Sequence, residues 1–254
     1  MVIRQWLRVT ILAVVSALLV ALPLQAQTDV LAIEPYADEL LQQMGETLKA
    51  APEFMFKAET MVDAVSETDQ KIQYSGTITV AVRRPDGLQA DSVGDRGTRS
   101  FWYDGQTITL LDRNQNVYAT APAPNGMDAA LDYAVDRFGV STPLVDLVFS
   151  DPYAILSENI QTGKYLGLHR VAGRSCHHLA FTQQTIDWQI WLSGGTRPLP
   201  CKVVITYKNK PGSPQYAAVL TKWDFASRFT DAMFSFQPPA DASQIEFMPN
   251  AAAR

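Results

Sequence analysis

Histidine, cysteine and positive charge are all in short supply in this chain. Its 254 residues include three histidines and two cysteines. The histidines His169, His177 and His178 sit together, with Cys176 among them and Cys201 some way downstream. A catalytic zinc site usually needs three protein ligands and an open position, and no third ligand is evident beside His169 and His178. The G-x-S-x-G, H-E-x-x-H, phosphate-loop and dinucleotide patterns are missing. Acidic residues are scattered, so no catalytic carboxylate pair can be picked out. Lys and Arg number 21 against 26 Asp and Glu, a formal charge of −5. A surface of that sign does not attract nucleic acid, nor does it bind anionic lipid through a polybasic patch. The residues thus nominate no catalytic group, no metal and no cofactor.

Long apolar runs are also lacking, with one exception at the start. Met1 to Arg8 carries Arg4 and Arg8 and no acid, Val9 to Leu24 is almost wholly apolar, and Leu24-Gln25-Ala26 ends in a small residue. This is the build of a secretory signal peptide over 1–26. The apolar run falls short of the ~20 residues that a spanning helix prefers. No cysteine stands near Ala26 to take a lipid. The expectation is a soluble, exported chain, with 27–254 folded as one domain.

What is abundant is alternation. Ala37, Leu40, Leu41, Met44 and Leu48 recur at helical spacing between Pro35 and Pro52. The period then changes to two. Phe54, Phe56, Ala58, Thr60 and Val62 form one face, and Ile72, Tyr74, Gly76, Ile78, Val80 and Val82 form another. Pro85-Asp86-Gly87, Asp104-Gly105 and Asn114-Gln115-Asn116 mark turns. Short strands follow at 99–103, 106–111, 117–120, 165–171, 176–182, 186–192, 201–207 and 216–225, which reads as a long antiparallel meander. Met127, Ala130, Leu131, Ala134, Val135 and Phe138 share a helix face, with Gly139 as a stop, and Pro143 opens a second short apolar helix through Leu144, Leu147 and Val148. The resulting expectation is an α+β, mainly β fold: a curved antiparallel sheet forming an open half-barrel, its concave face covered by helices.

The stretch from Cys176 to Tyr207 decides between a reactive centre and a greasy sheet. Neighbours on a strand point to opposite faces, so His177 and His178 cannot both bind one ion. A turn at Gly173-Arg174 pairs Arg170 with His177 and His169 with His178. A turn at Gln184-Thr185 sets Leu179 against Ile190, Phe181 against Trp188 and His177 against Leu192. That dry face is either plain core or the lining of a cavity, since both need the same pattern. Two cysteines in an exported chain point to a disulfide. Against it, Cys176 and Cys201 differ in strand parity and a whole strand separates them. Pro198 and Pro200 could bend that strand's start, and the bridge stays open at this point.

The strings CHHLAF, DWQIW, RPLPCKVVITYK and FSFQPPADA, with FWYDGQTITLLDRNQNVYATAPAPNGMDAALDY, resemble the exported family known as domain of unknown function 2092. That family is similar in architecture to the periplasmic lipoprotein carriers and receptors of the LolA/LolB type. The resemblance implies a LolA-like open barrel, a periplasmic address and a hydrophobic ligand, a lipid or lipoprotein acyl chain, bound without catalysis. By strand and helix parity, the lining residues would be Tyr74, Ile78, Val80, Phe101, Tyr103, Ile108, Met127, Leu131, Phe138, Leu179, Phe181, Trp188 and Ile190. The helix at 127–138 would act as a lid hinged at Gly126 and Gly139. Two other readings stand beside this one: an envelope sensor that binds a partner protein, and a metal-dependent hydrolase using His169 and His178. The expected state is a monomer.

Overall fold

A computed structural model describes residues 32–140 and 143–248. The expected signal peptide, 1–26, lies outside the described residues. The described residues fall in one compact unit.

Helix α1 (Pro35–Lys49) has its proline in the first turn, and Ala37, Leu40, Leu41, Met44 and Leu48 are buried along one stripe. Strands β1 (Glu53–Val65) and β2 (Lys71–Arg83) pair antiparallel over their full length. There follow β3 (Gly87–Gly94), β4 (Gly97–Tyr103), β5 (Thr107–Asp112) and β6 (Val117–Pro122). Helix α2 (Met127–Phe138), a 3-10 turn (Val145–Leu147) and helix α3 (Pro152–Ser157) interrupt the strands. The second run is β7 (Thr162–Val171), β8 (Arg174–Thr182), β9 (Ile186–Ser193), β10 (Pro200–Tyr207) and β11 (Gln215–Asp224). A short helix α4 (Asp231–Phe234) and a two-residue strand β12 (Ser243–Gln244) complete the described part.

All strands belong to one 12-stranded sheet in the order β12-β6-β5-β4-β3-β2-β1-β11-β10-β9-β8-β7. Two meanders therefore meet where β1 pairs β11, and the outer strands β12 and β7 do not pair with each other, so the sheet stays open. A flat sheet places strands about 4.8 Å apart, which would keep β5 far from β8. Yet Ile108 of β5 and Leu179 of β8 belong to one continuous core with α1, α2 and the 3-10 turn. The sheet must curl around those helices. Register shifts at Lys57/Ala58, Tyr165/Leu168 and Pro200/Lys202 mark bulges that add bend. The mainly β, open sheet with helices on its inner face agrees with the sequence expectation.

Several local expectations need correction. Strand β3 is an addition to the expected set, because Gly87-Leu-Gln-Ala-Asp-Ser-Val-Gly94 holds few β-branched or aromatic residues; pairing on both sides overrides that weakness. The helix expected from Pro143 shrinks to the 3-10 turn, and a further helix, α3, opens at Asp151-Pro152. Asp151 caps that helix by accepting a hydrogen bond from the Ala154 N–H. Gly45 lets α3 lie on α1, since a Cβ there would stand 2.5 Å from the Tyr153 Cβ.

One half-buried arginine ties the cover to the sheet. The Arg84 guanidinium donates to the carbonyls of Leu48 and Ala51 at 3.1 and 2.8 Å, and to those of Val148 and Phe149 at 2.9 and 2.7 Å. It also lies 5.1 Å over the Phe54 ring. The end of α1, the segment after the 3-10 turn and the β2–β3 connection are thus joined through one side chain.

Candidate functional site

The inner face of the first meander is built in rows across the strands. The deepest row is Val82, Leu88, Tyr103 and Ile108, all buried. The next is Val80, Ala90, Phe101 and Leu110, and the one after it is Ile78, Ser92, Arg99 and Asp112. The last row is Thr60, Gly76, Gly94 and Gly97. The first two rows are almost wholly apolar, the third is mostly polar, and the last is mostly glycine. The glycines are required there. A Cβ on Gly94 would stand 2.6 Å from the Ser75 carbonyl oxygen, and Gly97 has φ of +112°.

A cavity of about 440 Å³ occupies the space left above these rows. Its floor comprises Phe56, Ile78, Val80, Leu88, Ala90, Phe101 and Leu110. Leu131, Ala134 and Val135 of α2 form the roof, with Leu144, Val145 and Val148 beside them. At its exposed end lie Ser75, Ser92, Gly94, Arg96 and Arg99. This volume is in the range of pockets that enclose one small ligand. A larger hollow of about 600 Å³ lies elsewhere, but its lining includes Gln42, Gln43, Glu46, Arg197 and Arg228 and offers no comparable apolar floor.

Not every anticipated lining residue is there. Tyr74, Ile78, Val80, Phe101 and Leu131 border the cavity. Tyr103, Ile108 and Met127 point to the same side but are filled core, with the Tyr103 hydroxyl donating to the Pro124 carbonyl at 3.0 Å. Phe138 stacks on Phe247 at 4.4 Å and meets Tyr133 edge-on. Leu179 and Phe181 are packed solid; Phe181 stacks on Trp188 at 4.3 Å. Trp188 and Ile190 border a separate, smaller space of about 210 Å³, divided from the first by Leu144, which lines both. Leu144 holds a left-handed backbone with φ of +77°, an uncommon conformation for a leucine. Strand parity names a face but not how well that face is filled. It therefore misses Ser92, Ala90, Ala134 and the glycine row. Small residues facing inward on adjacent strands are the available signal. Gly126 and Gly139, the expected hinges, both have positive φ and flank α2 directly.

Asp146 lines the smaller space. Burial raises its carboxyl above the ordinary range. Burial and then the nearby Asp146 raise the Tyr207 hydroxyl.

The histidine pair lies on the outer face. The turn is at Ala172-Gly173, so His169 pairs with Cys176 and Leu168 with His177, a shift of two residues from the expected register that keeps the same faces. The Nδ1 atoms of His169 and His178 approach to 2.8 Å, His178 Nε2 bonds Gln189 Oε1 at 2.9 Å, and the His178 ring stacks on Trp191 at 3.9 Å. Burial pushes the His178 imidazole below its ordinary value. Among the described residues no cluster of three metal-ligating side chains occurs. The register of Leu179, Phe181 and His177 against Ile190, Trp188 and Leu192 is as expected.

Cys176 and Cys201 are free thiols, both buried on this outer face with Val171, Trp191 and Val204. The parity objection to their meeting fails because Cys201 is the extra residue of the Pro200/Lys202 bulge. The Cys176 thiol donates to the Arg174 carbonyl at 4.0 Å and the Cys201 thiol to that of Leu199 at 3.9 Å, and burial, then the neighbouring Cys176, push the Cys201 thiol up to about 12. A thiol held so firmly protonated is a poor nucleophile.

Among curated proteins none matches the chain. Solved structures do. An uncharacterized conserved protein from Thermus thermophilus aligns at 10% identity and a TM-score of 0.47 over 83% of this chain and 99% of its own. The lipoprotein LppX from Mycobacterium tuberculosis aligns at 14% identity and 0.46, over 77% and 98%. A LolA superfamily protein from Nitrosomonas europaea aligns at 8% identity and 0.38, over 79% and 97%. At these scores no ligand or reaction carries over. The family model that matches residues 37–248 covers most of the sequence, and the chain belongs to the family described as predicted periplasmic protein, domain of unknown function 2092.

Proposed function

We propose that this protein binds a hydrophobic ligand, a lipid or acyl chain, in the periplasm, in the cavity between the first meander and α2, without chemical conversion. The observation that carries the reading is the unfilled 440 Å³ space floored by Ile78, Val80, Ala90 and Phe101. Protein interiors are normally packed to crystal-like density, so apolar room of this size is costly unless something occupies it. Each methylene transferred from water contributes about 0.8 kcal/mol, and a partly enclosed chain gains useful affinity with no reacting group. Lids that open and close are a common means of entry to such sites, and α2, bounded by Gly126 and Gly139, is placed for that role.

The test is uptake of a neutral environment-sensitive dye together with native mass spectrometry of protein taken from membrane-containing lysate. Wild type should carry lipid mass and bind dye. Ala90→Phe should fill the floor, lower dye affinity about tenfold or more, and leave thermal stability nearly unchanged. Absence of both lipid and dye binding in wild type would end the proposal.

A further inference from the structure

We infer that the ligand is a single acyl chain ending in an anion, and that Arg96 and Lys210 receive its head. The inference rests on the proposed cavity reading and specifies the ligand class for that site. The apolar cavity continues at its exposed end into a shallower space of about 380 Å³, with Ile78, Ser92 and Arg96 lining both. Arg96 stands on one side of this antechamber and Lys210 also lines it.

Both cations lack an acidic partner among the described residues, in a chain where acids outnumber bases. The nearby ionic groups are held by other partners, Asp95 and Asp63 by neutral donors. Arg99 pairs with Asp112 at 3.2 Å. Asp95, next to Arg96, accepts the Ser75 N–H at 2.7 Å. Asp63 accepts from Gln73 through one oxygen and from the Gln215 N–H through the other. Arg96 instead lies 5.4 Å over the Tyr74 ring, and Lys210 4.5 Å over Tyr207. Aromatic faces hold the two cationic groups at the antechamber without neutralising them. The site thus runs from hydrocarbon floor, through Ser92 and the glycine row, to two cationic groups with no ion-pair partner among the described residues, beside the single carboxylate of Asp63. That is the order of a chain, a neck and an anionic head. The cavity's size, in the lower part of the range for small-ligand pockets, suits one chain rather than two or three.

The experiment is displacement of the neutral dye from full-length protein by palmitate, by palmitoyl lysophosphatidate and by hexadecanol, at low and high salt. Palmitate, lysophosphatidate or both should compete better than the alcohol by about three- to tenfold at low salt, as expected for two exposed charge contacts. The preference should shrink at high salt. It should vanish in Arg96→Gln/Lys210→Gln and persist in Arg96→Lys. Which anion competes best separates a carboxylate from a phosphate source. Equal competition by acid and alcohol, or an anion preference that survives in the double Gln variant, would overturn the inference while leaving the cavity reading intact. If the dye does not bind and no amphiphile is taken up, the cavity reading itself fails.

Discussion

The inner faces of β2–β4 and β8–β10 follow the same alternation, yet one floors a cavity of about 440 Å³ and the other is mostly packed core, with a smaller space of about 210 Å³ beside it. On β8 and β9, Leu179, Phe181, Trp188 and Ile190 are large and nearly fully buried. On β2–β4 the facing positions shrink to Ala90, Ser92, Gly76, Gly94 and Gly97. The cover differs too. Helix α1 packs against α3 and approaches β7, whereas α2 presents only Leu131, Ala134 and Val135 to the cavity. Periodicity orients a sheet; residue volume determines what can enter it.

The sharpest way to break this contrast is a pair of truncations. Phe181→Ala should cost about 3–5 kcal/mol, the range for deleting a fully buried aromatic. Phe101→Ala, at the cavity wall, should cost about 1 kcal/mol, because part of its surface already faces open space. Urea melts of both variants would show the difference, and equal losses would erase the distinction between the halves. Next in size is Arg84→Met. It leaves four carbonyls without their donor and should cost about 2–4 kcal/mol by the same measurement. Dye uptake would fall with it if the cover needs that anchor.

Asp146→Asn probes the packed side. Burial raises this carboxyl, so the fold opposes its ionisation. The penalty is absent below the unfolded pKa, near 4, and is fully present once pH exceeds the raised folded value. The amide should therefore stabilise at neutral pH by about 1 kcal/mol and change nothing in strong acid, as read from Tm against pH. The smallest effect belongs to His178. Its folded pKa is lowered, first by burial, so the neutral ring contributes stability above the unfolded value of about 6.5 that is lost as pH falls through the folded one. Wild-type Tm should slope downward over that acidic window, and His178→Gln should flatten the slope.

Much of this was legible in the residues. Ala37 to Leu48 announced α1, and Ile72 to Val82 announced β2 with its inward face. The strands from Cys176 to Tyr207 came out in their true register at β8–β9. What was not legible depended on neighbours far along the chain. β3 is a strand because β2 and β4 hold it on both sides. Cys201 changes face because a bulge adds one residue. Phe181 and Phe101 share a pattern, and only the packing around each decides that one is core and the other wall. Arg96 and Lys210 meet at one opening across nearly half the sequence, which no local spacing could announce.

Strand β12 fastens the sheet's margin to β6, and Phe247, just beyond it, supports Phe138 at the end of α2. One short tail segment thus does two jobs, as edge clasp and as bearing for the roof. A single proteolytic cut between β11 and β12 would undo both together, so the roof should come loose while the rest of the sheet still holds.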